Sequence, residues 1–238
     1  MEQKITYMAK RFAEAGFEFS KEQLNQFYTF YEMLIEKNKV MNLTGITEFE
    51  EVIEKHFIDS ICLSQVEDLH KDLKILDLGT GAGFPGIPLK IAFPELKITL
   101  MDSLNKRILF LDEVIEVLGL SGIETVHARA EELARKAEYR EQYDLCVSRA
   151  VANLSTLEEY CLPFVHIGGK FISYKSGEIE AEVEESKKAC YLLGGELKKV
   201  HKFQLEDSGR SFVIVNKVKK TPKTYPRKAG TPSKTPLK

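Results

Sequence analysis

From residue 70 onward, five short apolar runs, "KILDLG", "KITLMDS", "ETVHAR", "YDLCVSRA" and "KFISYK", alternate with stretches of helical spacing. Parallel neighbours need a crossover of a dozen or more residues, usually a helix, so this alternation predicts βαβ units. The expected architecture is α/β, a mostly parallel Rossmann-like sheet covered by helices on both faces. Two further runs, "KVHKFQL" and "RSFVIVNKV", are separated only by "EDSG". That gap is too short for a crossover, so strands six and seven should form an antiparallel hairpin. In an open sheet of this kind a ligand sits at the carboxyl ends of the strands, where the strand order reverses.

Residues 1–69 have a different texture. Ser20 and Gln23 form a capping-box pattern, followed by Leu24, Phe27, Tyr28, Tyr31 and Leu34 on one face, which predicts a helix over 21–37. "NKVMNLTGI" breaks the period, and Thr47 with Glu50 makes a second such pattern ahead of a helix expected over 48–66. His56 and Asp59 fall three apart on that helix and so face each other, as a structural pair or as substrate contacts. Three segments follow: a helical segment 1–69, a core 70–219 and a basic tail 220–238.

The stretch "DLGTGAGFPGIP", residues 77–88, stands at the end of the first strand and fits two ligand chemistries. Gly81-x-Gly83-x-x-Gly86 matches a dinucleotide fingerprint, with Asp102 about 20 residues on as a ribose-binding carboxylate, which keeps a nicotinamide or flavin enzyme open. Asp77-x-Gly79-x-Gly81-x-Gly83 is instead the pattern of S-adenosylmethionine sites. Asp77 at the lip would repel a pyrophosphate and attract an ammonium and a sulfonium, and Pro85 and Pro88 delete amides that a phosphate would use. Phe84 adds a flat apolar wall. These features favour the methyl donor. Asp102 closes the second strand and suits ribose hydroxyls, or else it or Ser103 caps the next helix. Ala130 and Glu131, after the third strand, could hold an adenine edge.

Cations gather at the same strand ends. Lys106 and Arg107 open a helix, where the macrodipole disfavours positive charge, so an anionic partner is expected. Arg149, Lys175 and Arg210 end or adjoin later strands, and together they form a positive rim suited to a phosphate backbone. Asn42, in the irregular stretch, and His56 are further candidate RNA contacts. No Ser-His-Asp order, paired-carboxylate motif or metal cluster stands out, and the four cysteines have no metal or disulfide spacing. No run of uncharged apolar residues offers a membrane span, and the N-terminus lacks the apolar stretch of a secretory signal, so a soluble cytoplasmic protein is expected.

The formal charge of -2 hides an asymmetry, because Lys217 to Lys238 hold eight Lys or Arg and no acid. The tail, "KTPKTYPRKAGTPSKTPLK", is rich in Pro and Thr, a composition of extended, solvated chain. Its single-signed charge points to a polyanion-binding arm over a mere solubility tail, with Arg227 and Lys228 within it.

Taken in order, "HFIDSI", "DLGTGAGFPGIPLKI", "DSLNKRILFL", "RAEEL", "SRAVANL" and "YPRKAGTPSKTPL" closely resemble the glucose-inhibited division protein B family of small-subunit ribosomal RNA methyltransferases, nearly end to end. The resemblance implies a class I S-adenosylmethionine-dependent methyltransferase fold with a helical N-terminal extension. It also implies methylation of N7 of one guanine in 16S rRNA, in the loop of helix 18, as free rRNA or within the small subunit. Carried over by position, Gly79 and Phe84 line the donor pocket, Ala130 and Glu131 bound the adenine, Asp102 takes the ribose, and Arg149 sits where related enzymes place a catalytic tetrapeptide. Guanine N7 already presents a lone pair, so Arg149 is expected to position base or donor and no general base is needed. A monomer without a metal is expected. A non-catalytic RNA-binding module is the reading from another class.

Overall fold

The structure is a computed structural model that describes residues 1–149 and 152–238; Ala150 and Val151, within the "SRAVANL" stretch, lie outside the described residues. Seven strands form one sheet in the order β3-β2-β1-β4-β5-β7-β6. They are β1 (Lys74–Leu78), β2 (Lys97–Asp102), β3 (Ile123–His127), β4 (Tyr143–Ser148), β5 (Val165–Ser176), β6 (Gly195–Leu205) and β7 (Ser208–Lys217). The first five pair in parallel, and β7 runs antiparallel to both β5 and β6. The hairpin thus appears as expected. The order reverses between β1 and β4, which places the end of β1 at the switch point.

Alternation along the strands splits the core in two. Ile75, Ile98, Leu145, Ile172 and Ile214 point to one face, and Leu76, Met101, Cys146, Phe171, Val213 and Val215 to the other. On the first face the strands are covered by α1 (Glu2–Glu14), α2 (Lys21–Met41), α5 (Gly86–Ala92) and α6 (Asn105–Leu118). The helical run between α2 and the sheet joins them: α3 (Phe49–Val52), a π-helical segment Ile53–Ile58, α4 (Asp59–Ile61) and a 3-10 turn Cys62–Gln65. The second face carries α7 (Ala130–Leu133), α8 (Leu154–Cys161) and α9 (Glu180–Leu192).

Helix α2 starts at the expected cap, with Gln23 N donating to Ser20 Oγ at 3.2 Å and Ser20 N to Gln23 Oε1 at 3.0 Å. It continues to Met41 rather than stopping at 37. Asn38 stays helical while its Oδ1 accepts from Leu43 N and Thr44 N, and Asn42 takes the left-handed conformation that ends the helix. The second capping box does not form: Glu48 is the N-cap of α3 and makes no side-chain cap bond. The single helix expected over 48–66 is instead α-helical, π-helical and 3-10 in turn, a change of pitch that alters which side chains share a face.

The tail is not solvated chain. Residues 221–238 lie on the second face, with Pro226 and Pro232 buried and α10 (Thr231–Lys234) near their end. Arg140 donates to the carbonyls of Thr221, Pro222 and Tyr225, and Arg135 donates to that of Pro226. Composition misleads here because the tail is fastened through its backbone oxygens, which every sequence has. Among the described residues no helix is long and apolar enough to cross a membrane.

Candidate active site

The glycine loop leaves β1 in a turn held by its own backbone, by β2 and by two carboxylates. Gly79 N and Thr80 N donate to Met101 O, Gly83 N and Phe84 N to Thr80 O, and Ile87 N to Gly83 O. Gly81 N donates to Asp102 Oδ2 at 3.0 Å, and Gly86 N to Asp77 Oδ2 at 2.8 Å. Gly81 has φ +63, and a Cβ there would meet nothing closer than Gly79 O at 4.0 Å, so it opens onto free space. Gly86 is glycine for packing, since a Cβ would fall 2.2 Å from Leu100 Cδ2.

Asp77 is not at the lip. It is fully buried beneath the loop, where Thr80 Oγ1 donates to its Oδ2 at 2.6 Å alongside Gly86 N. Burial pushes its carboxyl up to about 6, against the pull of those two hydrogen bonds. Its Oδ1 is buried without a hydrogen-bond partner among the described residues. Asp77 therefore braces the turn, and its expected surface attraction for a cation is corrected. Asp102 does face the loop. Besides Gly81 N, it accepts from Leu104 N at 2.9 Å and from Arg107 Nη1 at 3.1 Å. A carboxylate offers about four lone-pair sites, so one remains for a ribose hydroxyl. Arg107 thereby finds the anion that the start of α6 called for; the N-cap of α6 is Leu104, without a side-chain cap bond, so neither Asp102 nor Ser103 caps the helix.

Phe84 is turned toward the N-terminal helices more than toward open space. It is 5% exposed, with the His56 ring stacked on it at 4.4 Å, Phe30 at 5.4 Å and the Arg149 guanidinium over it at 4.9 Å. Arg149 follows β4 and is the hub of the site. Its Nη1 donates to Lys55 O at 3.1 Å and Asp59 Oδ2 at 3.0 Å, and its Nη2 meets His56 Nδ1 at 3.1 Å. Arg210 Nε donates to the other Asp59 oxygen at 3.0 Å. His56, in the π-helical turn, and Asp59, the first residue of α4, thus meet at one guanidinium and not at each other. Burial, with Arg149 beside it, lowers His56 to about 3, so its ring is neutral. Nδ1 then accepts from Arg149, and Nε2 donates to Thr44 Oγ1 at 2.8 Å.

This hub forms one wall of a cleft of about 850 Å³, which also includes Lys175, Tyr174, Phe203 and Arg210. Lys175 donates to Ala152 O and to Glu182 Oε1, both at 2.7 Å. The expected rim of cations is present, but its members are tied to carboxylates. Elsewhere, Lys106, Lys228 and Asn42 stand exposed, the last as the C-cap of α2. Arg227 is committed inward to Glu159, with Nη2 to Oε2 at 2.7 Å, and so is corrected from a free cation of the tail to an anchor of it. Ala130 is the first residue of α7, and Glu131 beside it is 7% exposed with Oε1 accepting from Gly230 N at 2.8 Å. Sequence reasoning missed Arg135, Arg140 and Glu159, which hold the tail, and the bridging position of Asp59.

The spent amides decide what the loop can cradle. From residue 79 to 87 only Ala82 N lacks a bonded acceptor among the described residues, so a pyrophosphate would find almost no donors there. An uncharged ribose at Asp102 and open space over Gly81 fit an adenosine ligand without phosphate. The residues that would hold S-adenosylmethionine fit it on these grounds.

Residues 23–212 match the family model GidB, rRNA small subunit methyltransferase G. The chain belongs to this family. It is 54% identical over 224 residues to ribosomal RNA small subunit methyltransferase G of Lachnoclostridium phytofermentans, covering 93% of each chain. The Clostridium novyi protein of the same name is 50% identical, over 92% of this chain and 91% of that one. Among solved structures, TrmN from Thermus thermophilus superposes with a TM-score of 0.54 at 17% identity over 68% of this chain and 48% of that one, a likeness of fold. The family membership agrees with the resemblance carried by the six motifs, and the methyltransferase fold with the strand order.

Proposed function

We propose that this family member transfers a methyl group from S-adenosylmethionine to N7 of a guanine in 16S rRNA, in the loop of helix 18. The observation that carries the choice of ligand is the loop of bonded amides, which suits a donor without phosphate. Bound there, S-adenosylmethionine supplies an electrophilic methyl on a sulfonium. Gly79 and Gly81 give it room, Gly83 and Phe84 shape the turn behind it, Asp77 braces that turn, and Asp102 accepts from the ribose. Ala130 and Glu131 bound the adenine. The target nucleotide enters the neighbouring cleft, and Arg149, which belongs to both regions, sets the guanine against the donor.

The chain has no proton to remove in this reaction. Both His56 nitrogens are occupied, one by Arg149 and one by Thr44, and the neutral ring has little appetite for a proton. Orientation supplies the acceleration instead, worth up to about 7–11 kcal/mol for ideal alignment. Arg149 and Arg210 share the single charge of Asp59, which leaves net positive charge for a phosphate next to the flipped base. Lys106, Lys175 and Lys228 extend the contact along the RNA, with Arg107 and Asn42 at its edge. The enzyme works as a monomer in the cytoplasm, with segments 1–69, 70–219 and 220–238 as helical cap, catalytic core and RNA-facing tail.

Titration calorimetry with S-adenosylmethionine and with NADH tests the donor. Binding of the first and none of the second is expected; binding of NADH alone would return the loop to the dinucleotide chemistry. Donor binding without transfer to any RNA would favour a non-catalytic RNA-binding module.

A further inference from the structure

The polar side of the adenine site is completed from outside the core. Helix α7, which carries Ala130 and Glu131, is only four residues long, and its N-cap Arg129 makes no side-chain cap bond. The tail holds the Glu131 carboxylate, since Gly230 N donates to its Oε1 at 2.8 Å, and the Tyr160 phenol of α8 lies beside both Glu131 and Ser233. Gly230 is itself fixed from two sides. On one, Arg227 grips Glu159, which is fully buried: its backbone N donates to Oε1 at 2.7 Å, Nε to both oxygens at 3.0 Å, and Nη2 to Oε2 at 2.7 Å. On the other, Thr156 Oγ1 donates to Pro232 O at 3.1 Å. Nη2 of Arg227 also donates to Thr235 O at 2.8 Å, closing the loop around Gly230.

We infer that Arg227 and Gly230 are positioning residues for donor recognition: the C-terminal strap sets the Glu131 carboxylate so that it selects the adenine amine of the donor. The inference rests on the reading of Ala130 and Glu131 as the adenine edge. The Gly230 N–H fixes the direction of the carboxylate, whose two oxygens offer about four lone-pair sites, so beside Gly230 N and the Tyr160 phenol it can still accept from a 6-amino group. It has nothing to donate to a 6-oxo group, and a site built to accept from an N–H rejects an analogue that lacks it. If the strap is released, the carboxylate regains rotamer freedom and the selection is lost while the rest of the pocket remains. Arg suits the anchor because its planar fork engages both Glu159 oxygens at once. The strap thus has an inward face that serves the donor and an outward face of lysines.

The test is titration calorimetry of the full chain with S-adenosylhomocysteine and with S-inosylhomocysteine, in which oxygen replaces the 6-amino group. Wild type should prefer the adenosyl compound by at least about tenfold, the value of one hydrogen bond of about 1.4 kcal/mol. Arg227→Ala should lose most of that preference and raise KM for the donor, with kcat at saturating donor unchanged. Arg227→Lys should recover part of it, and Lys234→Gln, on the outward face, should bind both compounds like wild type. An Arg227→Ala protein that keeps the wild-type preference overturns the inference. A wild type without any preference instead overturns the placement of adenine at Glu131. Should Arg227→Ala not fold, Thr156→Val releases only Pro232; a reduced preference there supports the strap, and an intact one overturns it.

Discussion

The N-terminal helices and the C-terminal strap reach the site from opposite faces of the sheet and are fastened by different physics. A relay of rings holds the first: Phe12 against Phe27 at 4.8 Å, Phe27 against Phe57 at 5.1 Å, and Phe30 and His56 against Phe84 of the glycine loop. The strap has no such relay. Arg135 and Arg140 hold its carbonyls, and Glu159 holds its arginine. Apolar packing ties the helical segment to the whole core, so it should unfold with the molecule. A strap held chiefly by hydrogen bonds, with Pro226 and Pro232 buried but no ring relay, can come away alone, and that separability lets it tune one pocket.

Damage to one attachment should leave the other intact. Phe57→Ala opens a cavity in a fully buried site and should cost about 3–5 kcal/mol of global stability, read from chemical denaturation. A loss under 1 kcal/mol would mean that the ring relay is ornamental. Arg140→Ala removes a guanidinium bonded to four carbonyls, those of Ala134, Thr221, Pro222 and Tyr225. Its expected cost is smaller, about 1.5–3 kcal/mol, and local. Limited proteolysis should cut the variant within the strap first, and cleavage no faster than in wild type would show that the strap does not open separately.

The pH response sharpens the contrast, because the neutral His56 belongs to the helical side. Its folded value of about 3 lies below the ordinary 6.5, so the unfolded chain binds the extra proton. The stability involved is intact above pH 6.5 and is lost as pH falls toward about 3, by up to about 1.4 kcal/mol per unit. His56→Asn should flatten that slope relative to wild type in denaturant titrations from pH 7 to 4.5, and parallel slopes would contradict the neutral ring. The smallest effects belong to the exposed lysines. Lys106→Gln and Lys228→Gln should leave stability within about 0.5 kcal/mol and lower the salt slope of RNA binding by about 1 each. An unchanged slope would take that lysine off the RNA.

The same contrast explains what could be read in advance. Strands and the hairpin were legible because alternation and gap length constrain them directly, and α2 because Ser20, Gln23 and the Phe27, Tyr28, Leu34 stripe repeat with helical period. Gly81, Asp102 and Arg149 could be listed because strand ends at a switch point are where ligands sit. Asp77 was misplaced at the lip, since a motif records spacing and not the direction a carboxylate takes under a tight turn. The meeting of His56 and Asp59 at Arg149 was hidden because that partner lies 90 residues or more away along the chain, a separation that local helical spacing does not record. The strap was hidden most completely. Arg135 and Arg140, in "ARKAEYREQY", look like surface charge, and their carbonyl partners carry no side-chain signature.

Methyl transfer to guanine N7 is read directly by tritium transfer from labelled S-adenosylmethionine to small subunits and to free 16S rRNA from cells lacking this gene. Borohydride and aniline cleavage then locates N7-methylguanine. One cleavage is expected, in the helix 18 loop, and it should be lost with Arg149→Lys. Incorporation into neither substrate, or undiminished transfer by the Arg149→Lys protein, would contradict this expectation.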